Sequence, residues 1–368
     1  MTATLATLRG SRVVVTEFGD DPMQAVAELT CLEEMAPPDP AELGAGDVVI
    51  AVKSAAVGWV DLLMTSGQYQ HMPSPPYTPG LEYAGEVLWV GADVTGVRIG
   101  DAVLVDGFLA GPRSAGDYQR YGGFASFAVA PAAAVRPLPG AFDYDQGCNL
   151  LGNYETAYHC LIARGKLAAG ETVLIHGASG STGLAAVQVA KLVGATVIAT
   201  GRTDSKLAVV AENGADHVIN TSDISTLRDQ VKSLTGGRGV DVVYDGVGGP
   251  ISAASLRCVR FGARYLIVGW AATPFVARGR GQRGAPNANQ LPTNLIMMKG
   301  LDVLGCPTVI STMRDPSIRA ERLAAVWGWA ESGAIQPHVS HRFALADFRD
   351  AMRAKWNSEV IGGCVLHP

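Results

Sequence analysis

No two of the six cysteines, at positions 31, 148, 160, 258, 306 and 364, are close enough to form a CxxC pair. A four-cysteine zinc lobe is therefore excluded, and scattered single thiols predict reduced, mostly buried side chains. Charge is also scarce. Charged residues make up 17% of the chain and hydrophobic ones 48%, the reverse of the balance that keeps a chain disordered. The net charge of -5 argues against a general nucleic-acid or anionic-membrane surface. No uninterrupted apolar run reaches the roughly 18 residues of a membrane helix. Met1 to Arg12 has no basic stretch followed by an apolar run, so no secretory signal is expected and the expected location is cytoplasmic.

What is present is length and glycine. A chain of 368 residues suggests one very large or two ordinary domains at roughly 150 residues each. Glycine supplies 44 of those residues, which predicts many tight turns. Up to about residue 140 the text reads as short strands, at 47–52, 86–90 and 102–105, with Pro73 to Gly80 as loop. The texture then changes. Asp143 caps an expected helix to Lys166, and apolar strands alternate with helices. Strands are expected at 172–175, 196–200, 217–219, 240–244, 264–268 and 301–305. Helices are expected at 184–193, 204–213, 224–235, 252–259, 317–332 and 346–356. Such alternation predicts an α/β fold with a doubly wound parallel sheet.

The strand at 172–176 runs into Gly177-Ala178-Ser179-Gly180-Ser181-Thr182-Gly183 and then a helix. In a strand–turn–helix setting this G-x-x-G-x-x-G pattern presents backbone N–H groups to a pyrophosphate. Leu184 stands where a P-loop would need Lys. The end of the next strand bears on the choice of dinucleotide. NAD sites place an acid there for the ribose hydroxyls, whereas this chain has Gly201, followed by Arg202 and Lys206. Those cations suit a 2′-phosphate, so NADPH is the expected cofactor.

Several segments together resemble the medium-chain dehydrogenase/reductase superfamily, most closely its zinc-free quinone oxidoreductase and enoyl reductase branch. They are Val57-Gly58-Trp59-Val60-Asp61, Ser66 to Tyr69, Pro79 to Gly85, Gly91, Gly100-Asp101 and Gly122 to Ala125. Tyr154 to Tyr158, the glycine turn, Asp245 to Gly249 and Asn294 to Gly300 complete the set. The resemblance spans nearly the whole chain. It implies a GroES-like β-rich catalytic domain over 1–139, closed by 311–368, and a Rossmann NADPH-binding domain over 140–310, with the site in the cleft between them. It also implies a homodimer paired through an edge strand, for which 301–310 is the candidate.

Zinc members of the superfamily place Cys, a His-Glu pair and Cys at the catalytic metal. The matching positions here are Gly58, Leu81-Glu82 and Gly152. Glycine and leucine cannot ligate, so no metal is expected. Nor does any tyrosine carry Lys four residues later, as short-chain dehydrogenases require. The seven histidines form no ligand spacing.

The resemblance therefore implies NADPH-dependent reduction of an activated C=C bond, in a free enone or an enoyl thioester. Quinone reduction and a non-catalytic NADPH-binding sensor or scaffold remain alternatives. Tyr69 is the candidate proton donor or carbonyl hydrogen-bond donor, and Asp61 orients backbone or cofactor. Thr156, Ser179, Gly180, Ser181, Thr182, Gly183, Arg202, Lys206, Val247, Gly269, Trp270 and Asn294 are the expected cofactor contacts. Arg278, Arg280 and Arg283 are natural phosphate partners if the substrate is a CoA thioester. The expected partner is thus a small unsaturated carbonyl compound, an acyl thioester or a quinone.

Overall fold

The computed structural model describes residues 7–69, 71, 73–114, 116–273, 280 and 289–368. It divides into two units. One holds the chain up to Gly152 and from Pro337 on, together with Arg280; the other begins at Asn153 and ends at Gln336.

In the first unit β1 (Gly10–Val15) and β2 (Thr30–Met35) form an antiparallel pair. The main sheet takes β3 (Asp47–Ala56), β4 (Tyr83–Val90), β5 (Ala102–Val105), β6 (Phe127–Pro131) and β7 (Val135–Pro137). After the second unit the chain returns to add β14 (Val339–Ala344) and β15 (Gly363–His367). The order is β14-β15-β3-β4-β5-β7, with β6 also paired to β3. Val48, Val49 and Ile50 of β3 are fully buried, because this strand is covered on both faces. Helix Trp59–Met64, which the sequence pattern did not suggest, follows β3 and is started by Gly58.

The second unit carries β8 (Thr172–His176), β9 (Thr196–Gly201), β10 (His217–Asn220), β11 (Val240–Asp245), β12 (Val259–Ile267) and β13 (Asp302–Gly305). They pair in the order β10-β9-β8-β11-β12-β13, every neighbour parallel. This is the doubly wound order, with its switch point between β8 and β11. Val173, Leu174, Ile175, Val197, Ile198 and Val243 are completely buried, which explains the continuous apolar runs.

One local expectation changes. The helix expected over 143–166 is three segments: Tyr144–Gly147, Leu151–Tyr158 and a wider π-helical turn at His159–Arg164. Asp143 does cap the first, accepting from Gln146 N at 2.8 Å. Asn149 then breaks the ladder. Its side chain donates to the Asp145 carbonyl at 2.9 Å, while its own N–H turns to Gln146. The strand expected at 301–305 is present as β13, at a sheet edge, and the rest of the candidate pairing segment 301–310 turns into a helix at 308–314.

Ion pairs tie the chain to each unit near these limits, Gly152 and Pro337. Asp145 accepts from Arg342 Nε at 2.6 Å and from His367 Nε2 at 2.7 Å, holding 144–147 in the first unit. Glu155 pairs with Arg319 and Arg322, holding helix Arg319–Glu331 in the second.

Candidate functional site

The expected cofactor residues of the second unit gather at the C-terminal ends of its strands. After β8, Gly177 has φ +65°, a left-handed conformation that favours glycine. Gly183 is needed for a different reason: a Cβ there would lie 2.3 Å from the Gly177 carbonyl oxygen. Helix Ser181–Val193 starts at Gly180 with no side-chain cap, so its first N–H groups are open to an anion. Ser179, Gly180, Ser181 and Thr182 are all at least partly exposed. The Thr182 hydroxyl donates to Asn153 Oδ1 at 3.1 Å.

At the end of β9, a Cβ on Gly201 would stand 3.0 Å from Leu207 Cδ2, so an acid there would press on a buried side chain. The nearest acid, Asp204, accepts from Asn220 Nδ2 at 2.6 Å. Arg202 is exposed and has no partner among the described residues, and Lys206 lies one helical turn on. The donor set therefore fits a dinucleotide with an additional phosphate.

Two residues beneath this surface were not among the expected cofactor contacts, although Asp245 belongs to one of the family-like motifs. Asp245 Oδ1 accepts from Val247 N at 2.9 Å and Gly248 N at 3.0 Å, while Oδ2 accepts from the hydroxyls of Tyr265 and Ser252. Burial pushes its carboxyl up, but His176 and these donors outweigh that and hold it low. Asn289 ties the same turn, accepting from Gly249 N at 3.2 Å and donating to Ser252 Oγ at 2.9 Å. Together they shape the turn that carries Val247. Gly269 and Trp270 follow β12, with Trp270 half exposed, and Thr156 is partly exposed on helix Leu151–Tyr158. Asn294 is not brought into this group by any bond. It is exposed in the first turn of helix Thr293–Lys299 and has no hydrogen bond among the described residues.

His176 ends β8. It lies within hydrogen-bond distance of Thr200 Oγ1 at 2.8 Å and Ser255 Oγ at 2.5 Å. Burial lowers it to about 4, so it is neutral in the fold. An unfolded histidine protonates near 6.5. The stability it contributes is thus full above about pH 6.5 and is lost as pH falls towards 4, on the order of 3 kcal/mol. Urea unfolding across that window is expected to show the loss, and His176→Gln is expected to reduce the slope by one proton.

The first unit gathers a second polar group. Asp61, 2% exposed, sits in the first turn of helix Trp59–Met64. Its Oδ2 accepts from Gly58 N at 2.9 Å, and its Oδ1 from Gly80 N at 3.1 Å and Leu81 N at 3.0 Å. Both oxygens therefore accept backbone N–H groups. Burial raises it to about 6 despite those donors and the Arg113 charge. Tyr69 packs against Val15, Met64, Tyr77 and Leu81. Burial raises its phenol above the ordinary value, against the lowering effect of Arg113.

The positions where zinc relatives carry ligands lie in this unit as well. Glu82 Oε1 accepts from Gly152 N at 2.5 Å, and a Cβ on Gly152 would meet Glu82 Oε2 at 2.6 Å. A Cβ on Gly58 would meet Asp61 Oδ2 at 2.9 Å. Carboxylates occupy the space that cysteine side chains would need, so these residues do not fit a zinc ion. Of the arginines proposed as phosphate partners, Arg278 and Arg283 lie outside the described residues. Arg280 Nε pairs with Asp20 at 2.6 Å.

A β-rich unit and a doubly wound unit with a dinucleotide turn, in one chain, are the two halves of a medium-chain dehydrogenase or reductase. The family described as alcohol dehydrogenase GroES-like domain matches residues 44–140, and that described as zinc-binding dehydrogenase matches 181–319. The second match contains none of the metal positions discussed above. Quinone oxidoreductase-like protein 2 homolog of Nematostella vectensis is 30% identical over 327 residues, 88% of this chain and 82% of the relative. Quinone oxidoreductase of Lama guanicoe is 34% identical over 352 residues, 96% of this chain and 95% of the relative. The solved Escherichia coli quinone oxidoreductase complexed with NADPH superposes with a TM-score of 0.77 at 26% identity, covering 97% of this chain and 100% of that one. The chain belongs to the medium-chain dehydrogenase/reductase superfamily, in its quinone oxidoreductase-like branch.

Proposed function

We propose that this protein is an NADPH-dependent, zinc-independent reductase of activated C=C bonds in enones or enoyl thioesters. The observation that carries the reading is the pairing of an intact dinucleotide turn with metal positions taken by Gly58, Leu81 and Gly152. When bound, NADPH supplies a hydride for the β-carbon of the acceptor. The backbone of Gly180 to Gly183 holds the pyrophosphate, Arg202 and Lys206 the 2′-phosphate, and Thr156, Val247, Gly269 and Trp270 border the nicotinamide. Tyr69 stays protonated at neutral pH, because its pKa lies above the ordinary phenol value, and it donates a hydrogen bond to the acceptor's carbonyl oxygen. Asp61 keeps the 58–61 and 80–81 backbones in register beneath it. Two copies pair through β13, and the protein works in the cytoplasm.

A second reading, quinone reduction, is favoured by the names of the relatives. NADPH oxidation followed at 340 nm separates the two, with enones, short and long enoyl-CoA esters and ortho- and para-quinones as acceptors. Turnover of the carbonyl acceptors is the expected result, and turnover of quinones alone would replace the proposal with the second reading. Tight NADPH binding without any turnover would favour a sensor.

Cofactor choice has its own test. Arg202→Glu is expected to weaken NADPH binding roughly 10- to 100-fold, the range for a lost hydrogen bond to a charged group. NADH affinity, measured by the same fluorescence titration, should change far less. Equal losses for both would remove Arg202 from the 2′-phosphate.

A further inference from the structure

Two arginines are buried among the described residues, and they are treated very differently. Arg322, 1% exposed, donates to Glu155 at 2.8 Å and to Thr312 Oγ1 at 2.7 Å. Arg113, 7% exposed, has no carboxylate within 4.0 Å among the described residues, and its Nε has no hydrogen-bond partner. A buried cation without a counter-ion is costly, often by several kcal/mol. The loop that carries it is nonetheless well tied. Asp106 Oδ1 accepts from Phe108 N at 3.0 Å, and Ser114 Oγ donates to the Gly111 carbonyl at 2.7 Å. The guanidinium is held over the Phe108 ring, 4.7 Å from its centroid. That contact occupies one face; the Tyr69 phenol hydrogen-bonds the guanidinium, and Nε is left without a partner among the described residues.

The guanidinium lies in the polar group of the first unit. A Cβ on Gly107 would be 3.1 Å from Arg113 Nη2 and 2.4 Å from the Leu81 carbonyl oxygen, so glycine keeps this approach open. Leu81 N is one of the donors to Asp61. Tyr77 Oη, in the cluster that Leu81 and Tyr69 share, is also buried without a partner among the described residues. Asp61 feels the Arg113 charge but makes no ion pair with it within 4.0 Å, and both its oxygens accept backbone N–H groups.

We propose that Arg113 anchors a carboxylate carried by the substrate, so that the preferred acceptor is an unsaturated carbonyl compound bearing a free acid group. A planar guanidinium matches a carboxylate with two parallel hydrogen bonds. With the Asp61 carboxylate already nearby, a monoanion adds less uncompensated negative charge than a phosphate dianion would. The reduction of such an acceptor rests on the reading above; recognition of the acid group does not.

The test compares 4-oxopent-2-enoate with its methyl ester, which carries the same enone without the charge. In the wild-type protein the acid is expected to exceed the ester in kcat/KM by roughly 10- to 100-fold, as for one hydrogen bond to a charged group. In Arg113→Gln that ratio is expected to fall towards one, with partial recovery in Arg113→Lys. Calorimetry with the saturated 4-oxopentanoate gives a readout that needs no turnover, and its binding should weaken in the same order. Thermal unfolding of each variant checks that the fold is kept. Equal handling of acid and ester by the wild type would overturn the carboxylate anchor and leave the reductase reading intact. Arg113-dependent binding of 4-oxopentanoate without turnover of any C=C acceptor would do the opposite. Absence of both discrimination and binding overturns the anchor.

Discussion

Glu155→Ala is expected to destabilise the second unit by roughly 3–5 kcal/mol, the range for leaving one partner of a buried ion pair alone. Glu155 is 1% exposed and serves two cations. Arg319 Nη2 donates to its Oε1 at 2.6 Å, and Arg322 Nε to its Oε2 at 2.8 Å. Arg319 side-chain exposure is 11%, so it can turn partly to water, but Arg322 at 1% cannot. Without Glu155 the buried Arg322 keeps, among the described residues, the Thr312 hydroxyl. The melting temperature is expected to fall by roughly 10 °C or more for a unit of this size. The exposed pair Arg353–Asp350, with side chains 59% and 61% exposed, provides the contrast. Asp350→Ala should cost less than about 1 kcal/mol, because water screens the pair already. Urea unfolding of both variants checks the difference, and similar losses would show that burial is not what sets the strength of the Glu155 pairs.

Gly183→Ala is expected to weaken NADPH binding at least about 10-fold, comparable to losing a hydrogen bond to a charged group. The added Cβ would meet the Gly177 carbonyl oxygen at 2.3 Å, Ala178 Cα at 2.8 Å and Ala178 C at 2.9 Å. All three are backbone atoms, so no side chain can swing aside; the turn itself must open. Opening it displaces the first N–H groups of helix Ser181–Val193, which no side chain caps. Gly180→Ala makes a useful comparison. Its added Cβ would meet only the Gly177 oxygen, at 3.5 Å, an ordinary contact, so a much smaller effect is expected. Fluorescence titration with NADPH measures both. Retained affinity in Gly183→Ala would mean that the turn does not supply the pyrophosphate contacts.

The second unit was the more legible half. Its six strands and the helix after the glycine turn appear within a few residues of where apolar runs and glycines place them, because a parallel strand covered on both faces must be apolar throughout. The first unit was read less completely. β1, β2 and helix Trp59–Met64 had no distinct period, and their pairings join segments far apart in the chain, as in the bridge of Val15 to Tyr77. Asn149 shows why one long helix was read where three segments stand: a short polar side chain competes for a backbone carbonyl, and only the folded chain decides which wins.

At the site, the motif residues carried their own signal. The glycine turn, Gly201 with Arg202, and the missing metal ligands are all visible in the order of residues, since each depends on what a short stretch of backbone can or cannot do. Asn289, His176 and Arg113 gave no such signal, and Asp245 gave one only as part of a motif, without a role. Their importance lies in what surrounds them: donors converging on Asp245, a turn tied by Asn289, hydroxyls flanking His176, and the lack of an ion pair to Arg113 among the described residues. The sequence by itself determined the family, the open parallel sheet and the dinucleotide turn, because local backbone chemistry and apolar periodicity suffice for them. Only the tertiary structure decided which charges are buried and whether they are paired, because burial and pairing are made by residues that the sequence keeps apart.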